Sequence, residues 1–400
     1  MWIHRTFLSK LQALPLSTLK QCELPTVRVL LGPRQVGKTS LLERLGKYQL
    51  VLLDDLSVRH QATENPSFFL DQFRGPIILD EATQSPELFS EIKKRVDSAK
   101  RLRLKGVEFK KFDYWITGSN QTLMATQIQE SLAGRAEFYN LNTLSIQETG
   151  EDNLSKLCLA GGWPELYSGS GQEPVSYLNG LISSFIERDI IQAAGIEKKA
   201  AFTRTLQLLA GSIGEMINFS EIAAAVGVES STVQSWALIL EQNQIINIVR
   251  PYVSNLNKRI IKTPKIYFED VGLATRFQGW TQFEPLFVSP YFGHSVENIA
   301  FSELSRFFTN SGLEKKIYYI RNKEKIEVDF LIELPNKKFI SIEVKTTPRN
   351  YSVEQLRLLE SLKINRVEHW IVSPKKSQII FQNCRTLVFQ ELFEALSKFI

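Results

Sequence analysis

The stretch TVRVLLGPRQVGKTSLLERL, residues 26–45, decides the fold. Its first six residues are rich in β-branched and aliphatic side chains, as a strand covered on both faces requires. GPRQVGKTS then fits the spacing G-x4-G-K-[ST], and an amphipathic helix opens at Gly37 and is expected to run to about Lys47. Strand, glycine-rich loop and helix in that order bring backbone N–H groups and a helix N-terminus to bear on an anion. Gly32, Pro33, Arg34, Gln35, Val36, Gly37, Lys38, Thr39 and Ser40 are therefore the expected cradle for the phosphates of ATP. Lys38 would neutralise the β- and γ-phosphates and Thr39 would ligate Mg2+.

Three further strand-like runs follow at α/β spacing: QLVLLDD (49–55), GPIILDE (75–81) and FDYWITGSN (112–120), each pair separated by helical sequence. Such alternation predicts a parallel sheet. Asp80 and Glu81 end an all-apolar strand, where the first acid completes a Mg2+ shell and the second orients or deprotonates the attacking water. Ser119 and Asn120 end the next strand and are suited to sensing the γ-phosphate, although strands also end in such residues for turn reasons. Arg135, in SLAGRAEF, reads equally as a surface arginine or as a cation for the γ-phosphate, in its own subunit or a neighbour's.

Farther on, FSEIAAAVGVESSTVQSWALILEQNQII (219–246) reads as a helix-turn-helix starting at Ser220. Ile222, Val226, Val233, Leu238 and Leu240 are its expected packing residues, with Ser231, Thr232, Gln234 and Ser235 exposed at the start of the second helix. Arg250, Lys258, Arg259, Lys262 and Lys265 follow, as in a basic wing touching phosphates. A winged helix used for DNA contact and one used for packing are both compatible with these residues.

The stretch IEVDFLIELPNKKFISIEVKTT (326–347) reads as a hairpin turning near Asn336. Alternation then sets Asp329 across from Glu343, with Lys345 one step along the same face. Close carboxylates call for a cation between them, and oxygen donors suit Mg2+ or Mn2+. A half-exposed hairpin would alternate in the same way. Glu297 on the preceding helix and Gln355 on the following one add to the metal-site reading.

Composition bounds the rest. The chain has 400 residues, 43% hydrophobic and 23% charged, which fits two to four ordinary globular domains. Three cysteines without metal-ligand spacing speak for a reducing compartment, the N-terminus lacks a signal-peptide pattern, and no apolar run reaches membrane-spanning length. A cytoplasmic location without membrane contact is expected. The net charge of +5 is compatible with nucleic acid.

Together, GPRQVGKTSLLERL, LLDDLSVR, GPIILDEATQSPELFSEIKKRVD, WITGSN, SLAGRAEFYNLNTLSIQE, GGWPELY, FIERDI, TPKIYFEDVGLATR and the hairpin resemble a prokaryotic family of AAA+-type P-loop ATPases with a C-terminal domain of unknown function. That domain resembles a winged helix followed by a PD-(D/E)XK nuclease-like core. The resemblance implies an α/β chain of four parts: an ATPase domain over 1–150, a helical lid or linker over 151–200, a winged helix over 201–280 and a restriction-endonuclease-like α/β domain over 285–400. It implies Ser119 near the sensor position and Arg135 as the family's Gly-Arg. In the nuclease-like core, Glu297, Asp329, Glu343 and Lys345 match the helix acid, the strand aspartate and E-x-K. ATP and DNA are the expected partners, with a homo-oligomer as a further one.

Overall fold

The computed structural model describes residues 5–13, 25–118, 124, 128, 131–252, 261–364, 367–376 and 383–399. The chain packs as two compact units, residues 4–142 with 188–195, and residues 143–187 with 196–400. Helical, helix-turn-helix and C-terminal segments thus share the second unit.

In the first unit the four expected strands are present: β1 (Thr26–Leu31), β2 (Gln49–Leu52), β3 (Ile77–Asp80) and β4 (Asp113–Thr117). A fifth, β5 (Glu137–Asn140), was not foreseen, because its outward residues give it no apolar signature. All pair in parallel in the order β2-β3-β4-β1-β5. Valine, isoleucine and leucine from β1, β3 and β4 pack under Leu88, Phe89, Ile92 and Val96 of the helix Glu87–Leu104. Within this core Arg28 is held by Asp113 at 2.7 Å, and Tyr48 donates to the same carboxylate at 2.9 Å. Because the strands are parallel, β1, β3 and β4 end on one side, where ligands of such sheets gather. The helix after the loop is shorter than expected, Lys38–Glu43. Its end tightens into three-residue turns, with Leu45 N–H on Leu42 O and Gly46 N–H on Glu43 O, so that the chain can enter β2 at Gln49.

The second unit holds the helix-turn-helix, Phe219–Val226 and Ser230–Gln242, followed by the antiparallel pair β6 (Ile246–Val249) and β7 (Lys265–Phe268). Two details differ from the sequence reading. Asn218, not Ser220, caps the first helix, its side chain accepting from Glu221 N–H at 3.2 Å. Leu238 is 49% exposed, whereas Trp236 is buried edge-on against Phe202, since the inward stripe runs Val233, Trp236, Ala237, Leu240. Beyond it lies a mixed five-stranded sheet of β8 (Ile317–Arg321), β9 (Glu327–Leu334), β10 (Lys338–Val344), β11 (Val367–Ser373) and β12 (Arg385–Val388). Strands β8, β9 and β10 are antiparallel, and β10, β11 and β12 are parallel, with the helix Val353–Ser361 as a crossover.

A buried polar network ties the unit together. Asp270 Oδ2 accepts from Gly162 N–H at 2.8 Å and from Thr143 at 2.9 Å, while Oδ1 accepts from Gly272 N–H at 3.0 Å. Arg306, on the helix Tyr291–Ser311, donates to Thr143 at 2.6 Å and Glu303 at 2.6 Å and lies 3.3 Å from Asp270. A Cβ on Gly161 would stand 1.8 Å from Asp270 Oδ1, which is why GGWP and YFEDVG fit only as glycine against aspartate. The same helix presents Asn298 to β7, accepting from Phe268 N–H and donating to Phe268 O as a neighbouring strand would.

Candidate functional site

The loop after β1 carries Gln35 at φ 62° and Gly37 at φ 88°, left-handed positions of the kind from which anion-binding backbone loops are built. A Cβ on Gly37 would meet no protein atom within 4 Å, so conformation, not packing, requires glycine there. Pro33 and Val36 face inward, Arg34 is half-buried, and Gln35 and Ser40 are exposed. Lys38 is 6% exposed and donates to Gly32 O at 2.9 Å and Pro33 O at 2.8 Å. Burial lowers its pKa to about 8, with Glu81 and Asp80 resisting that fall and Arg34 adding to it. Thr39 Oγ1 donates to Asp80 at 2.9 and 3.0 Å, and Thr117 Oγ1 donates to the same carboxylate at 2.5 Å. Glu81 sits at φ 52°, an uncommon backbone for a side chain of its kind and one that recurs at functional sites.

Thr117 was not among the expected residues. Its place follows from β4 lying between β1 and β3, with Thr117 opposite Leu30 and Ile116 opposite Leu79. Ser119 and Asn120 lie outside the described residues. Arg135 grips Asp97 through Nε at 2.7 Å and Nη2 at 3.0 Å, a two-pronged pair at the rim of this unit.

The site's oxygen donors and its buried ammonium fit a nucleotide with Mg2+. The pKa of Lys38 makes that testable. Phosphates would restore the ammonium toward the ordinary lysine range, so binding above pH 8 must take up a proton. ATP affinity is expected to be flat below pH 8 and to fall up to about tenfold per pH unit above it. Calorimetry in buffers of different ionisation enthalpy should show the matching proton uptake, and a flat affinity to pH 10 would contradict it. Stability has the opposite sense, because the unfolded chain keeps this proton to higher pH. The cost of burying charged Lys38 is full below pH 8 and fades as pH rises.

A second charged centre lies in the C-terminal unit. Both faces of β9 and β10 are covered, so Asp329 is 7% and Glu343 2% exposed, and the hairpin has no wet face. The β9–β10 register places them opposite, as expected, and Asp329 also accepts from Val344 N–H at 2.8 Å. Lys345 pairs with Glu343 at 2.5 Å and Asp329 at 3.6 Å. Gln355 Nε2 donates to Glu343 and, at 2.8 Å, to Glu327 O. Burial, then Asp329, pushes the Glu343 carboxyl well above its ordinary value against the pull of Lys345.

Glu297 faces a different cation. It accepts from Tyr267 at 2.5 Å and from Lys265 at 3.3 Å, and Lys265 also pairs with Glu327. Burial pushes Glu297 up to about 7, Lys265 pulls it down, and Asp329 adds to the rise. Burial works against the Lys265 ammonium, yet Glu297, Glu327 and Asp329 outweigh it and raise its pKa. Lys265 is thus corrected from a wing residue to a 1% exposed ammonium within the acidic centre; Arg250 and Lys262 are exposed, and Lys258 and Arg259 lie outside the described residues. Lysines are interleaved among Glu297, Asp329 and Glu343. Among the described residues no three His, Cys, Asp or Glu side chains are arranged around one metal position.

Comparison with known proteins bears on these sites. Residues 25–150 match the family described as AAA domain, which spans the whole loop, Asp80 and Glu81. This region is similar to AAA domains and has a P-loop NTPase fold. Residues 151–284 and 292–393 match domains of unknown function DUF8612 and DUF4143. The acidic centre draws Lys265 and Tyr267 from the first of these and its carboxylates from the second. An uncharacterized protein of Mycobacterium tuberculosis is 29% identical over 324 residues, 80% of this chain and 70% of that protein. One of Haemophilus influenzae is 25% identical over 212 residues, 48% of this chain and 51% of that protein. The solved Walker-type ATPase of Pyrococcus abyssi aligns with 70% of this chain and 96% of its own at 16% identity and a TM-score of 0.41. Among the described residues no helix is long and apolar enough to cross a membrane.

Proposed function

We propose that the chain hydrolyses ATP with Mg2+ and uses the nucleotide state to govern a DNA-acting C-terminal unit. The observation that carries the ATP reading is the convergence of Lys38, Thr39, Asp80 and Thr117 at the ends of three adjacent strands. A Mg2+ ion held there would supply positive charge against the charge that develops on the phosphates. Thr39 and Asp80 would hold that ion, Thr117 fixes the Asp80 carboxylate, and Lys38 would leave its two carbonyls to face the phosphates. Glu81 orients the attacking water. Arg135 leaves Asp97 when a γ-phosphate, its own or a neighbouring copy's, competes for it.

In the C-terminal unit, the exposed start of the helix Ser230–Gln242 contacts DNA. Asp329 and Glu343 would be the carboxylates to hold Mg2+ or Mn2+, with Glu297 behind them, and Lys345 would stabilise charge on the phosphate under attack. Asp329→Ala is expected to leave ATP turnover within about twofold of wild type, since nothing in the nucleotide site depends on it. It should abolish metal-dependent cutting of labelled linear, branched or single-stranded DNA. Equal cutting by both proteins would assign that activity elsewhere.

A second reading is favoured by the lysines themselves. Lys265 and Lys345 already neutralise the carboxylates, as suits a nuclease fold used only for ATP-switched binding of DNA or a protein. Absence of cutting on every substrate, with ATP hydrolysis intact, would select it.

A further inference from the structure

Residues 93–111, KKRVDSAKRLRLKGVEFKK, hold nine basic and two acidic residues, more net positive charge than the +5 of the whole chain. The rest of the chain is therefore slightly acidic, and the basic character belongs to one feature of the ATPase domain.

Its geometry is that of a presented face. The helix Glu87–Leu104 buries Leu88, Phe89, Ile92, Val96 and Ala99 in the sheet core, leaving Lys93, Lys94, Asp97, Lys100, Arg101 and Leu104 on the side away from that stripe. The acid on that side, Asp97, is taken by Arg135 from the neighbouring turn. Asp71 accepts Arg95 and Lys110, which lie toward the flank. Lys94 is 74% exposed, and Arg101, Lys105 and Lys111 are exposed as well. Arg101 and Arg103 complement the helix dipole, but the dipole does not account for Lys94 two turns earlier or for Lys105 and Lys111 beyond the helix.

We infer that this face is a binding surface for the sugar-phosphate backbone of a nucleic acid, separate from the helix-turn-helix. From Lys93 to Lys105 the helix rises about 18 Å, over which one strand of B-DNA presents about five phosphates. A lipid surface fits less well. A membrane-bound helix needs a broad apolar face, and the apolar face of this one is in the core. Leu104 at 88% exposure and Val107 at 49% leave two apolar side chains to insert. The consequence is a DNA contact on the ATPase domain itself, so that nucleic acid and nucleotide can influence one another within a single unit.

The test is a full-length variant with Lys94→Gln, Arg101→Gln, Lys105→Gln and Lys111→Gln. All four residues are exposed and outside the nucleotide site, so ATP turnover without DNA should match wild type. Binding of a labelled duplex is followed by anisotropy over a salt series. The log–log salt slope is expected to shrink by about three to four, near 0.9 per lost contact. A Ser231→Glu, Gln234→Glu variant runs in parallel. Loss of binding there alone would overturn this surface and leave the helix-turn-helix reading standing, and loss in the four-residue variant alone would do the reverse. An unchanged slope in the four-residue variant, or no duplex binding by wild type at low salt, overturns the inference. So does equally tight, equally four-residue-dependent binding to phosphatidylglycerol vesicles.

Discussion

Lys38→Ala is expected to cut ATP turnover by at least about 10²–10³-fold, the usual cost of removing one preorganised charge from a transition state. The magnitude follows from where the side chain sits. Its ammonium is 6% exposed, so water cannot take its place, and its partners in the loop are the carbonyls of Gly32 and Pro33. The alanine variant should fold normally by circular dichroism, because it removes a buried ammonium whose desolvation the folded chain otherwise bears. Steady-state phosphate release is the measurement. A folded variant that turns over at the wild-type rate would remove the nucleotide assignment from this loop.

The second large effect is on stability. Asp270→Ala is expected to destabilise the C-terminal unit by about 3–5 kcal/mol, the range for breaking a buried ion pair from one side. Asp270 is 2% exposed and serves Thr143, Gly162 N–H, Gly272 N–H and Arg306 together. Without it, the Arg306 guanidinium keeps Glu303 but loses the Asp270 carboxylate, and three buried N–H groups, of Gly162, Gly272 and Leu273, lose an acceptor. A fall in melting temperature of about 6–20 °C is expected, at 2–4 °C per kcal/mol for a unit of this size. A melting temperature within 2 °C of wild type would mean that the surrounding residues close over the gap and that the network matters little. Asp270→Asn should lie between, since it retains one acceptor.

Sequence order made four strands of the parallel sheet legible because each announces itself locally as a β-branched or aliphatic run, whereas β5 does not. The loop and Asp80–Glu81 were legible for the same reason. Thr117 was not, since its contact with Asp80 depends on β4 lying between β1 and β3, a relation between segments far apart. In the hairpin, period-two alternation correctly set Asp329 opposite Glu343. It could not reveal that both faces are covered, which changes those acids from solvated groups into a buried centre. Lys265 was misread because it follows a basic run in the sequence, KRIIK, and only Glu297 and Glu327, 32 and 62 positions later, draw it inward. The Gly-Gly-Trp-Pro stretch stood in the sequence only as one motif of the family resemblance. Its purpose, close approach to Asp270, lies more than a hundred residues away.

That separation has a bearing on how the protein is made. The contact between Gly162 and Asp270, and then Arg306, joins segments that leave the ribosome many seconds apart, roughly 7–30 s at ordinary synthesis rates. Until Arg306 arrives, Gly161, Gly162 and Thr143 have no acid–base pair to close on. The first half of the C-terminal unit must therefore wait, its apolar surfaces open, while the parallel sheet of the ATPase domain already has all five strands. A nascent chain stalled between residues 170 and 306 should be the form most in need of chaperone protection.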